Sequence, residues 1–246
     1  MTDHDDAARY ATAAGELLLS LRSAVRTGTA RWTLGDTGDV QANHLLLEFL
    51  RAEHPDDPVL SEESVEDPRR HDADRVWIVD PLDGTREFTE DGRTDWAVHV
   101  ALWDRTHGVH AAAVALPAQG IVLSTASPPA VPPRGDRPLR VVVSRTRPPV
   151  AGSRVAAALG AELVTMGSAG AKAMAVVQGE VDAYVHAGGQ YEWDSAAPAA
   201  VASAAGLHAS RLDGAPLTYN RRDPWLPDLV VCRPELADAV IEAAAA

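Results

Sequence analysis

A chain of 246 residues with 46% hydrophobic and 23% charged residues has the make-up of an ordinary globular protein, long enough for one large domain or two small lobes. Its net charge of −13 excludes a broad nucleic-acid or anionic-membrane surface, but not a phosphate ester held where bound cations reverse the local sign. The single cysteine, Cys232, excludes an internal disulfide and fits a reducing compartment, and its neighbours Val230 and Val231 predict a buried thiol.

Met1 to Asp6 is polar and acidic, unlike a signal peptide, and no apolar run approaches the ~18 residues that span a bilayer. A cytoplasmic protein is expected. Leu17, Leu18, Leu21 and Val25 recur at helical spacing and predict a helix from Ala7 to Val25. Thr27 to Gly38, rich in Gly, Thr and Asp, reads as a loop or short hairpin. Asp39 is placed to cap a helix carrying Leu45, Leu46, Phe49 and Leu50. Val59 to Ser61 is a short strand ending at Glu62 and Glu63. Val76-Trp77-Ile78-Val79 is a buried strand. It runs into Asp80-Pro81-Leu82-Asp83-Gly84-Thr85, after which Arg86-Glu87-Phe88 continues a helix.

Trp96–Trp103, Val109–Leu116 and Ile121–Ser124 follow as antiparallel strands. Ser127 to Pro138 contains five prolines and reads as a linker, dividing an N-terminal α+β lobe (1–126) from a C-terminal α/β lobe (139–246). In the second lobe strands are expected at Leu139–Ser144, Glu162–Met166, Val181–Val185 and Asp228–Cys232. Helices are expected near Val150–Leu159, Ser168–Gln178, Trp193–Ala205 and Pro234–Ala246. Stacked layers of helix, sheet, helix, sheet, helix are the expected architecture.

Each of the carboxylates Glu62, Asp80, Asp83 and Asp194 sits where a strand or loop gives way to another element, which is where α/β folds place ligands. An all-oxygen set, joined by the Leu82 carbonyl, favours Mg²⁺ over Zn²⁺. Two ions ~4 Å apart would polarise a phosphoryl oxygen and lower the pKa of a bound water. A turn is a fair alternative for Asp83 before Gly84, an N-cap on spacing alone for Asp194, and a solvated neighbour of Glu62 for Glu63. Thr85 is the expected partner of the attacking water, with Asp39 and Glu62 competing to take its proton. None of the nine histidines forms a metal-spaced pair, and none is assigned a catalytic role.

For the substrate, Gly167-Ser168 at a helix start can receive a second phosphate, with Lys172 one turn on; Lys172 also suits an exposed helix face. Gly188-Gly189 allows close approach of a flat ring, near His186, Gln190 or Tyr191. Arg86 can contact substrate or pair with Glu87 or Glu90 on its own helix. Arg221 and Arg222 are either phosphate contacts or solvated.

Taken together, Glu62-Glu63, Asp80-Pro81-Leu82-Asp83-Gly84-Thr85 and Trp193-Asp194 resemble the signature of the inositol monophosphatase superfamily of Mg²⁺-dependent, lithium-sensitive phosphatases: an acidic pair, DP-(I/L)-DGT and WD. Arg86-Glu87-Phe88, Gly167 to Lys172 and Tyr184 to Asp194 are most similar to the CysQ-type 3'(2'),5'-bisphosphate nucleotidases of actinobacteria. The resemblance implies the layered αβαβα sugar-phosphatase-like fold. It also implies removal of the 3'-phosphate of 3'-phosphoadenosine 5'-phosphate, a by-product of sulfate assimilation, with inositol-1-phosphate and fructose-1,6-bisphosphate as alternative substrates. It makes Glu62, Asp80, Leu82 (by its carbonyl), Asp83 and Asp194 ligands of two or three Mg²⁺, for which Mn²⁺ can substitute. Gly84 and Thr85 would bind the scissile phosphate, and Asp39 would pair with Thr85. The partner implied is a small phosphate ester, and a homodimer is compatible with it. One departure stands out. Many relatives carry Val-Thr-x-x-Asp where this chain reads Gly35-Asp36-Thr37-Gly38-Asp39, and no lysine precedes Lys172, which leaves the number of metals open.

Overall fold

A computed structural model describes residues 2–24 and 31–246. Two helices, α1 (Asp3–Ala24) and α2 (Arg31–Glu53), lie against a sheet of β1 (Val59–Ser61), β2 (Arg75–Asp83), β3 (Ala97–Asp104), β4 (Gly108–Leu116) and β5 (Ile121–Ser124). The strands stand in chain order, with β1 parallel to β2 and the rest antiparallel. A five-residue helix α3 (Thr85–Thr89) follows β2.

The second half supplies β6 (Arg140–Ser144), α4 (Val150–Leu159), β7 (Glu162–Met166), α5 (Ala169–Val177), β8 (Ala183–Tyr191), α6 (Glu192–Ala204), β9 (His208–Ser210), β10 (Trp225–Cys232) and α7 (Ala237–Ala245). Its sheet runs β7-β6-β8-β10-β9, parallel across β7, β6 and β8 and antiparallel beyond.

Alternation along the strands generates the layers. Trp77, Val79, Val98, Val100 and Leu102 face α1 and α2, while Val76, Ile78, Ala97 and Ala101 face α5 and α6. Tyr184 of β8 meets those same helices from the other side, and Val185 packs towards α4 and α7. The result is αβαβα, with α5 and α6 sealed between the sheets. Residues 128–139 form no helix or strand, yet they are fastened down: Arg137 pairs with Asp182, and the Pro132 carbonyl accepts from Arg233. Cys232 is buried between β10 and α7, and burial pushes its thiol up to about 12. Among the described residues no helix is long and apolar enough to cross a membrane.

The reading of Thr27–Gly38 as loop or hairpin is corrected for residues 31–38, which are helical, and Thr27 to Ala30 lie outside the described residues, as does Val25. Asp39 therefore lies inside α2 and is no N-cap. The glycines that suggested a loop serve close packing instead. A Cβ on Gly35 would stand 2.8 Å from the Thr85 methyl, and one on Gly38 would stand 3.0 Å from Leu82 and Phe88. Bare backbone here lets α2 press directly on the turn after β2.

Candidate active site

The inward face of β2 reads Val76, Ile78, Asp80, so ordinary alternation would carry Asp83 to the opposite side. It does not, because the ladder slips. Asp80 pairs with His99 and Asp83 with Ala97, three steps on β2 against two on β3. This bulge returns Asp83 to the face of Asp80. There they meet Asp194 of α6, with one oxygen from each carboxylate lying within 4.8 Å of the others.

The environments of the three differ sharply. Asp80 is 1% exposed; its Oδ1 accepts from the Leu82 amide at 3.0 Å, and Oδ2 has no partner in the protein. Burial, then Asp83, Glu62 and Asp194, raise its pKa well above the ordinary range. Asp83 receives the N-terminus of α5: the Ala169 amide donates at 3.0 Å, the Gly170 amide at 2.6 Å, and the Ser168 hydroxyl donates as well. Burial opposes its charge, but His99, Lys172 and these donors outweigh it and hold Asp83 below its usual value. Asp194 accepts from the Tyr191 amide at 2.6 Å and so caps α6 from its third position while facing the cluster. Burial, followed by Asp83, raises it to about 6.

Glu62 lies on the loop after β1 and lines the same cleft as Asp83 and Asp194, outside the three-carboxylate group. Its side chain is exposed at the cleft mouth, yet desolvation by the surrounding protein and the charges of Asp194, Asp39 and Asp83 push it up to about 8. Glu63 is solvent-exposed. The Thr85 hydroxyl has two acceptors, Asp39 Oδ1 and the Leu82 carbonyl, each at 3.3 Å. Burial, then Glu63, raises Asp39 to about 7, with the Thr85 hydrogen bond acting against the rise.

Several expectations for the substrate side change. The donors of Gly167 and Ser168 assigned to a second phosphate are already engaged, the Gly167 amide with Asp95 and the Ser168 hydroxyl with Asp83. Lys172, the chain's one lysine, is 4% exposed rather than solvated. It donates to the Gly167 carbonyl at 3.1 Å and to that of Ser168, and burial lowers it to about 8. Glu87 and Glu90 pair with Arg145, leaving Arg86 exposed on the cleft wall. Arg221 and Arg222 do not line the cleft; their carbonyls accept from the buried Arg70.

Sequence reasoning passed over His99. Its Nδ1–H donates to the Trp193 carbonyl at 3.0 Å, and Nε2 lies 3.2 Å from Asp83 Oδ2. Burial works against its protonation, but Asp83 wins and raises the pKa, which favours an imidazolium. A Cβ on Gly170 would sit 2.0 Å from Nε2, so only glycine admits the ring. The available signal was parity: His99 occupies the inward row between Ala97 and Ala101, where a polar residue needs a partner.

The cluster fits a hard divalent cation. Its donors are all oxygen, and Asp80 Oδ2, buried among like charges with His99 Nδ1 3.9 Å away, accepts no hydrogen bond from the protein. The cleft above it, about 860 Å³, continues to Tyr184, His186, Gln190, Tyr191 and Trp225.

The inositol monophosphatase family model matches residues 5–129 and 138–245. The chain is 56% identical over 252 residues to the 3'-phosphoadenosine 5'-phosphate phosphatase of Mycobacterium leprae, covering 98% of this chain and 93% of that protein. It is 34% identical over 203 residues to the 3'(2'),5'-bisphosphate nucleotidase CysQ of Escherichia coli, covering 76% and 80%. Among solved structures, CysQ from Bacteroides thetaiotaomicron is similar at 25% identity and a TM-score of 0.75, covering 92% of this chain and 96% of that one. Thermotoga maritima IMPase shares the fold at 20% identity and a TM-score of 0.76, covering 98% and 96%. With its layers, its acidic cluster and its sequence in agreement, the chain belongs to the inositol monophosphatase family.

Proposed function

We propose that this chain is a Mg²⁺-dependent phosphatase that removes the 3'-phosphate of 3'-phosphoadenosine 5'-phosphate to give AMP. The observation that carries the chemistry is the meeting of Asp80, Asp83 and Asp194, with an unpartnered Asp80 oxygen beneath an open cleft. The names of the 56%-identical mycobacterial relatives support the substrate.

Asp80, Asp83, Asp194, Glu62 and the Leu82 carbonyl are the oxygens that would hold divalent cations. Such a cation supplies Lewis-acid polarisation of the phosphoryl group and a lowered pKa for water. The chain's own groups do the rest. Thr85 orients the attacking water by accepting its hydrogen bond and passing its own hydroxyl proton towards Asp39, which, raised to about 7, is poised as general base near neutral pH. Glu62, raised to about 8 at the cleft edge, is the competing base. Water attacks phosphorus, the bond from phosphorus to the 3'-oxygen breaks, and that oxygen takes a proton. The backbone N–H groups of Gly84 and Thr85, which follow the bulge, would receive phosphoryl oxygens. His99 holds Asp83 ionised throughout.

Phosphate release from 3'-phosphoadenosine 5'-phosphate, inositol-1-phosphate and fructose-1,6-bisphosphate, each with Mg²⁺, tests the reading. The nucleotide should have the highest kcat/KM and millimolar Li⁺ should inhibit. A higher kcat/KM for either sugar phosphate would overturn the substrate assignment.

A further inference from the structure

Along the same cleft that Asp83 and Asp194 line, β8 contributes Tyr184, His186 and Gln190. Gln190 is 7% exposed, yet neither Oε1 nor Nε2 has a hydrogen-bond partner in the protein. Folded proteins seldom bury a carboxamide with both groups unpaired unless something else pairs them. Its neighbour is not in that position, since His186 Nε2 donates to the Gly189 carbonyl at 3.0 Å. Around Gln190 the cleft is aromatic. Tyr191 stacks on Trp193 at 4.7 Å and 12°, and Tyr191 and Trp225 are 46% and 43% exposed.

A planar group offering one donor and one acceptor side by side, set beside exposed rings, matches a flat heterocycle whose edge carries the complementary pair. A carboxamide pairs in this way with the 6-amino group and adjacent ring nitrogen of adenine, and the rings offer surfaces on which a base can stack. A cyclic polyol has no flat face to stack.

We propose that Gln190 is the specificity-determining residue for the base, reading the 6-amino group of adenine through its carboxamide. This rests on the nucleotidase reading and adds to it the atom that selects the nucleotide. The side chain reads the base and takes no part in proton transfer.

The test is a two-by-two comparison of kcat/KM. The substrates are 3'-phosphoadenosine 5'-phosphate and the 3',5'-bisphosphate of purine riboside, which lacks only the 6-amino group. The enzymes are the natural chain and Gln190→Met, an apolar side chain of similar size. The natural enzyme should prefer the amino-bearing base by roughly 10- to 100-fold, because the analogue leaves a buried group unpaired. In Gln190→Met that preference should collapse to within about threefold. A preference that survives the substitution overturns the role of Gln190 and leaves the nucleotidase reading intact. A natural enzyme that treats the two bases alike overturns it too, even if Gln190→Met fails to fold. Turnover of inositol-1-phosphate with neither nucleotide accepted would sink both readings.

Discussion

Asp80, within β2, and Asp182, just before β8, are each 1% exposed, but their surroundings are opposite. Asp182 accepts from Nη1 and Nη2 of Arg137, from the Arg140 amide and from Arg233 Nε. Burial opposes its charge, but these donors lower its pKa. Asp80 accepts one amide and sits among Asp83, Glu62 and Asp194. A buried carboxylate surrounded by guanidinium groups is complete and holds the second half of the chain together. One surrounded by carboxylates is complete only when a cation arrives, and its native environment is costly until then.

The contrast is sharpest in activity. Asp80→Asn should lower kcat by roughly 10³-fold or more, since it removes a charge from the site of phosphoryl transfer. The same variant should melt no lower than the natural chain in chelator, because it relieves repulsion. A variant that stays active, or that unfolds first in chelator, would place Asp80 with Asp182 as a structural group. Asp182→Ala should do the reverse, costing about 3–5 kcal/mol of stability by stranding Arg233 and Arg137 while the folded fraction keeps its kcat. Urea unfolding alongside active-site titration separates the two effects. Because the folded pKa of Asp182 is depressed, its contribution is present above its unfolded value near 4 and is lost as pH falls further. The acid limb of stability should therefore flatten in Asp182→Ala.

Next in size is Asp39. Raised to about 7, it acts as a base only when ionised, so kcat/KM should climb as pH passes through about 7. Asp39→Asn should lose roughly 10²-fold and that limb with it; a limb that persists would assign the proton to Glu62. The smallest effect expected is from the cation itself. Mg²⁺ at ten times its Kd should add roughly 1.4 kcal/mol to the natural chain and much less to Asp80→Asn, read as a shift in melting temperature.

Legibility in the sequence followed the range of the forces involved. The strand into Asp80, the turn at Gly84 and the layering follow from local alternation and punctuation, and all can be read from neighbouring residues. The start of α2 could not, because Gly35 and Gly38 answer to Leu82, Thr85 and Phe88 across space rather than to their own neighbours. Ser168 misled for a related reason: a helix N-terminus signals an anion, but here the anion is Asp83 of the same chain. The inward direction of His99 is recorded in the parity of β3, but its partner Asp83 and the burial of Lys172 depend on how two sheets enclose α5, which no local pattern records. The convergence of Asp194 on Asp80 and Asp83 was reached only through the family signature, since spacing alone equally supported a helix cap.

The α5 N-terminus resting on Asp83 joins residues 85 to 87 positions apart. While the ribosome has delivered only the first sheet, Asp83 has neither the amides nor the hydroxyl that keep it charged, and Asp194 has not yet been made. Each half alone is therefore catalytically mute, and phosphatase activity during synthesis should report completion of the last layers rather than the appearance of the DGT turn.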